Sequence, residues 1–230
     1  MTDYDPVAWV YNLEDYLQIF ALDEADLNKS ILEYPAGIAC FNAEMHAKGK
    51  SVCSGDDFYD VELPEMVKRA EAILQRNRQY LQNHPQRLNA AVDCSVEQVV
   101  SQWQKNSECF LDDFQEGKQQ QRYQRFYLPK LPFTTHYFDL ALCSDLVFHT
   151  RLYPDNQPDE VIMELCRVAR EVRIFPLLDE HGDISDQLGP AMLNLQQQNF
   201  GVEIKEVPYQ LLAGSNAMLR VWVTECKVTA

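Results

Sequence analysis

Hydrophobic positions recur along the chain with two different periods, and the switching between them sets out the elements. Over residues 6–22, Trp9, Leu13, Leu17 and Phe20 fall on one face at helical spacing, with Pro6 as a first-turn residue behind Asp5. Residues 30–34 are a short apolar run and predict a strand. Residues 40–48 lack Pro and Gly and stop at Gly49, which predicts a helix and its end. Residues 50–55 predict a second strand. Two helices follow over 62–84 (Leu63, Met66, Ala70, Ile73) and 95–115 (Val96, Val99, Val100, Trp103), separated by His84-Pro85 and closed by Gly117. Residues 123–128 alternate as a strand. Phe138 to Ser144 is apolar almost without interruption, the mark of a parallel strand covered on both faces. A helix over 159–170, a strand over 171–178, and a helix over 185–199 capped by Ser185 come next. Strands over 201–208 and 216–224 follow one another with no helix between, so they pair antiparallel, with Met218 to Thr224 as the final edge strand.

This order predicts an α/β fold: a doubly wound, mostly parallel, seven-stranded Rossmann-like sheet with an antiparallel edge strand and extra helices between strands 2 and 3. Residues 1–230 form one domain, with 1–28 as an N-terminal helical segment and 60–120 as a helical insertion or lid. Ligands of such sheets bind beyond the carboxyl ends of the strands, near the point where strand order reverses. That rule gathers Glu33 to Gly37, Asp56 and Asp57, Tyr127 and Leu128, and Ser144 and Asp145 around one cleft.

Charge and cysteine usage narrow the partners. The formal net charge is −15, which repels phosphate backbones and anionic membranes and favours a cationic ligand. Neither nucleic acid nor a membrane is expected as a partner; the only basic cluster, Lys118 to Lys130, is diluted by glutamines and aromatics. No apolar run approaches the ~18 residues of a membrane span. The N-terminus is acidic and is not read as a signal peptide. The seven cysteines are scattered and never spaced CxxC, which is read as reduced, structural thiols in the cytoplasm. No HExxH or CxxC pattern points to a metal.

The stretch ILEYPAGIACF (Ile31 to Phe41) places an acid at a strand end, then a tight turn, then a helix. Asp56 follows 23 residues after Glu33, the span of a βαβ nucleotide unit whose second acid holds ribose hydroxyls. With these residues the chain resembles the class I S-adenosylmethionine-dependent methyltransferases over most of its length. ILEYPAG resembles their first motif, VCSGDD their second-strand acid, LPFTTHYFDLALCS their fourth-strand segment, and MELCRVAREVRIFP their following helix and strand. More narrowly, FNAEM, FLDDF, LPKLPF, EVRIFPLL and GSNAML resemble a bacterial branch of predicted methyltransferases without an assigned substrate. Of the family's three loop glycines only Gly37 is present, with Pro35 and Ala39 at the outer positions. The resemblance implies S-adenosylmethionine as cofactor, held by Glu33, Tyr34, Pro35 and Gly37. Asp56 would bind the ribose, with Asp57 as the alternative register. Tyr127 and Leu128 stand where the family often has an Asp-Ala pair at the adenine, and Asp113 of the lid is the substitute acid. Ser144 would line the methionine side.

Methyl transfer from a sulfonium is an in-line displacement in which the protein supplies orientation and field. A base is needed only when the acceptor must lose a proton. Asp145 and His149, just past the fourth strand, are the candidate catalytic residues. The expected activity is methyl transfer to a small-molecule acceptor. The alternative is a methyltransferase-fold protein without catalysis, a binding or scaffold module whose helical insertion would take a protein partner. A nicotinamide enzyme is weakened by the missing G-x-G-x-x-G.

Overall fold

The computed structural model describes residues 9–148, 158–179 and 181–224. Seven strands form one sheet: β1 (Ile31–Glu33), β2 (Val52–Asp56), β3 (Tyr123–Arg125), β4 (Phe138–Ser144), β5 (Ala169–Phe175), β6 (Phe200–Glu206) and β7 (Ala217–Val223), in the order β3-β2-β1-β4-β5-β7-β6. The first five are mutually parallel, and β7 runs antiparallel to both of its neighbours. This is the expected Rossmann-like sheet, reversed at one margin.

One detail differs from expectation. Met218 to Thr224 does not form the edge, because β7 returns between β5 and β6 and leaves β6 outermost. The reason is apolar content. Leu219 and Val221 of β7 are fully buried, whereas Glu203, Lys205 and Glu206 of β6 lie in solvent. Charges on an outer strand also discourage pairing with another chain.

The helices are α1 (Leu13–Ile19), α2 (Phe41–Ala47), α3 (Leu63–Asn83), α4 (Val96–Gln119), α5 (Pro158–Val168) and α6 (Leu188–Gln197). The extra helices between strands 2 and 3 are α3 and α4, as predicted. The first helix is shorter than its periodicity suggested. Asn12 and Asp15 close a reciprocal capping box that fixes the start at Leu13. Trp9 lies ahead of that start and instead packs edge-on against Trp103 of α4, with ring centres 5.1 Å apart. Gly117 sits inside α4 rather than ending it, because the Tyr123 ring presses against that turn: a Cβ there would stand 2.4 Å from the ring. Ser185 does not cap α6, which begins at Leu188 with no side-chain cap; its hydroxyl accepts from Gln187 N–H at 3.2 Å instead.

Strand side chains alternate between the two faces of the sheet. Ile31, Leu140, Leu142 and Phe175 point into a core shared with α1 to α4, while Leu32, Ala141, Cys143, Val172 and Ile174 point into a second core that includes Ile162 and Leu165 of α5 and Leu195 of α6. Among the described residues six cysteines are free, and no helix is long and apolar enough to cross a membrane.

Candidate functional site

The sheet register decides which acids meet. Glu33 stands beside Ser54 of β2 and Leu142 of β4. Asp56 and Ser144 lie two residues further along those strands, so all four polar side chains share the face covered by α1 to α4. The expected grouping of Glu33, Asp56 and Ser144 at the carboxyl ends of β1, β2 and β4 is therefore present.

Glu33 is 1% exposed. A buried carboxylate requires donors, and two hydroxyls provide them: Tyr16 donates to Oε1 at 2.6 Å and Ser54 donates to Oε2. Asn42 Nδ2 in turn donates to Ser54 Oγ at 2.7 Å. Burial outweighs these bonds and lifts the Glu33 carboxyl to about 7. Burial, with Glu33 adjoining, also keeps the Tyr16 phenol protonated far above its ordinary range. Nothing in the apolar stripe of α1 distinguished Tyr16 from a plain core residue, so this partnership was not visible in the sequence.

The loop after β1 is held from both sides. Ala36 N–H donates to Gly55 O at 3.0 Å, and Cys40 N–H donates to Tyr11 O at 3.1 Å. Between them Gly37 adopts φ +57°, a left-handed conformation that glycine accepts without strain. Its N–H donates to Asp56 Oδ2 at 2.8 Å, and its carbonyl accepts from Tyr59 at 2.7 Å. The direction in which a Cβ would project from Gly37 is open for 4 Å. Ala39 is buried in the core beneath the loop, so its methyl group is packed away. Pro35 is half-buried and Tyr34 fully buried, its hydroxyl accepting from Leu128 N–H at 3.3 Å. Asp56 Oδ1 accepts from Asp57 N–H at 2.8 Å. Burial first, and the neighbouring Asp57 after it, raise the Asp56 carboxyl well above the usual carboxylate range. Asp57 itself is exposed.

Asp145 follows β4 at φ +53°, held by its N–H to Phe175 O at 2.9 Å. It is buried, and its Oδ1 has no hydrogen-bond partner among the described residues. The same is true of the Tyr11 hydroxyl. Tyr11 and the Trp9 backbone lie near enough to Asp145 to oppose the effect of its burial. Burial raises Asp145 to about 8. An unmet buried carboxyl oxygen costs about 1–3 kcal/mol, so this place is built at the expense of stability.

The remaining expected residues are placed less centrally. Tyr127 is 58% exposed and lies under Arg125, while Leu128 is buried in the second core. Asp113 is bound by Arg122 at 2.6 and 2.7 Å and by Tyr123 at 2.9 Å. His149 lies outside the described residues. In the basic cluster Lys118, Arg122 and Arg125 are each paired with an acid: Glu62, Asp113 and Asp60.

Fold and site together define a Rossmann-like α/β domain with buried acids at the carboxyl ends of its central strands. No family model matches the chain. An uncharacterized protein of Methanocaldococcus jannaschii is 26% identical over 224 residues, covering 94% of this chain and 95% of that one. Among solved structures, a SAM-dependent methyltransferase from Aquifex aeolicus aligns over 91% of this chain and 87% of its own, at 14% identity and a TM-score of 0.41. Magnesium protoporphyrin IX methyltransferase from Synechocystis PCC 6803 aligns over 86% and 71%, at 11% identity and a TM-score of 0.44.

Proposed function

We propose that the protein is an S-adenosylmethionine-dependent methyltransferase acting on a small-molecule acceptor. The observation that carries this is the Gly37–Asp56 pair: an open, left-handed backbone position whose N–H is bonded to a buried strand-end carboxylate 2.8 Å away. The residues present fit the cofactor. Each Asp56 oxygen accepts one N–H and keeps capacity for a ribose hydroxyl. The open side of Gly37 admits close approach, and the unmet Asp145 oxygen suits a cationic group. Glu33 contributes negative field from behind Tyr16 and Ser54. When bound, the cofactor supplies a methyl group on a positively charged sulfur. Asp145 and His149 are the residues assigned to accept an acceptor's proton, and Ser144 is assigned to the methionine side; Tyr34, Pro35, Asp57, Tyr127 and Leu128 keep their assignment to the cofactor from the motif likeness. The motif likeness supports a place in the bacterial branch of predicted methyltransferases.

A second reading, a binding or scaffold module without catalysis, draws on a different observation: both Glu33 oxygens are already engaged by Tyr16 and Ser54. Calorimetry separates the two. Saturable binding of S-adenosylhomocysteine that is abolished in Gly37→Val and weakened by about 1.5–3 kcal/mol in Asp56→Ala is expected. Silence at millimolar ligand, with the protein folded, removes the enzymatic reading.

A further inference from the structure

Gly37 is free to leave the conformation that makes it useful. A glycine at φ +57° has no side chain to hold it there, and the peptide planes on either side of it rotate easily. Two bonds remove that freedom, one on each plane. The Gly37 N–H donates to Asp56 Oδ2 at 2.8 Å, and the Gly37 carbonyl accepts from the Tyr59 hydroxyl at 2.7 Å. The first bond joins two residues already assigned to the cofactor. The second comes from a residue that no motif or charge pattern singled out.

Tyr59 lies three residues past Asp56, between β2 and α3, and is 1% exposed. A phenol so deeply buried must place its one proton inside the fold, and Gly37 O receives it. Burial, and the Asp56 carboxyl after it, keep this phenol protonated far above its ordinary range, so it remains a donor at every working pH. Its ring is fixed from the far side by the helical insertion. Phe110 stacks against it with ring centres 6.0 Å apart, and Phe114 meets it edge-on at 5.7 Å; both belong to α4 and are fully buried. Tyr123 of β3 closes a third side at 5.6 Å. The Tyr123 hydroxyl donates to Asp113 of α4 at 2.9 Å and so does not compete for Gly37. A continuous set of contacts thus runs from α4 through Tyr59 to Gly37. α4 cannot swing outward as a lid without withdrawing the wall behind that hydroxyl.

We propose that Tyr59 is a positioning residue for the cofactor: its hydroxyl holds the Gly37 peptide in the orientation that Asp56 grips from the other side, and α4 is the fixed buttress of its ring. This rests on the methyltransferase reading above. Tyr59 does not touch the cofactor in this assignment; it acts through Gly37.

The test titrates S-adenosylhomocysteine calorimetrically into the wild-type chain, Tyr59→Phe, Asp56→Ala and the double variant. Phenylalanine keeps the ring and its packing and removes the hydroxyl alone. Tyr59→Phe is expected to lower affinity about fivefold or more, but less than about twofold once Asp56 is alanine, because both side chains act on one residue. Hydrogen exchange on the protein without ligand gives a second measurement: protection of the Gly37 amide is expected to fall about fivefold or more in Tyr59→Phe, with the amides of β4 unchanged. Phe114→Leu leaves the hydroxyl in place and loosens the wall behind it; a smaller loss of affinity is expected, and none in the Tyr59→Phe background. Unchanged affinity in Tyr59→Phe, or an equal loss with and without Asp56, overturns the assignment and leaves the methyltransferase reading intact. An equal fall in protection at Gly37 and in β4 marks general loosening and overturns it as well. Unchanged affinity in Phe114→Leu overturns the part given to α4. A folded wild-type chain that binds no S-adenosylhomocysteine removes the methyltransferase reading and the role of Tyr59 together.

Discussion

The two faces of the sheet are built on different physics. Toward α5 and α6 the strands present Leu32, Ala141, Cys143, Val172 and Ile174, an apolar surface that is held by burial alone. Toward α1 to α4 the same strands present Glu33, Ser54, Asp56, Ser144 and Arg173, all buried. Each of these polar groups needs a partner or raises the energy of the fold. Some have full sets: Arg173 donates to Phe20 O at 2.9 Å, to Asp26 at 2.8 and 3.1 Å, and to Glu171 at 2.7 Å. Asp145, just past the end of β4 on this face, has one carboxyl oxygen without a partner among the described residues. One face of the sheet stabilises the domain, and the other gives up stability to position acids at the strand ends, a division expected where a fold carries a site.

Three perturbations test that division. The largest effect is expected from Arg173→Met. It takes the buried partner from Asp26, which keeps the Lys29 pair at 2.6 Å, and leaves a helix-end carbonyl unmet, and it costs about 3–5 kcal/mol in denaturant unfolding. A loss under about 1 kcal/mol would mean that this network is not what holds α1 to the sheet. On the apolar face, Leu165→Ala leaves a hole in the second core, where Leu165 is fully buried. Its expected cost is about 2–5 kcal/mol, and, unlike changes on the other face, it should be the same at pH 5 and pH 8. The third change concerns pH directly. Glu33 moves from an ordinary value of 4.5 to about 7 on folding. Between those values the native state holds a proton that the unfolded chain has released, so stability falls as pH rises through that window and is level above it. The Glu33 share of that fall is on the order of 3 kcal/mol. Glu33→Gln should lessen the fall of the urea midpoint between pH 5 and 7 by the Glu33 share, with Asp56 and Asp145 supplying the fall that remains; an unchanged slope would show that Glu33 stays ionised in the fold. Asp26 and Glu171, held below their usual range in the set around Arg173, act oppositely and only at acid pH: their contribution is lost as pH falls through their depressed values.

Much of this molecule is written locally. Seven apolar runs, the helices between them and the spacing from Glu33 to Asp56 follow from side-chain periodicity and turn residues, since period two and period 3.6 are properties of short segments. Gly37 could be picked out because a tight turn after a strand needs a left-handed residue, and its φ of +57° meets that need. Other features depend on what arrives from far along the chain. Tyr16 and Ser54 reach Glu33 from 17 and 21 residues away, Tyr11 meets Asp145 across the fold, and Gly117 stays inside α4 because the Tyr123 ring lies against it. The insertion of β7 between β5 and β6 was likewise hidden, because a hairpin pairs its own strands equally well whichever of the two turns inward. Periodicity says which side of an element is buried. Only packing decides what that side is buried against, because partners for buried polar groups are supplied by contacts that no local pattern encodes.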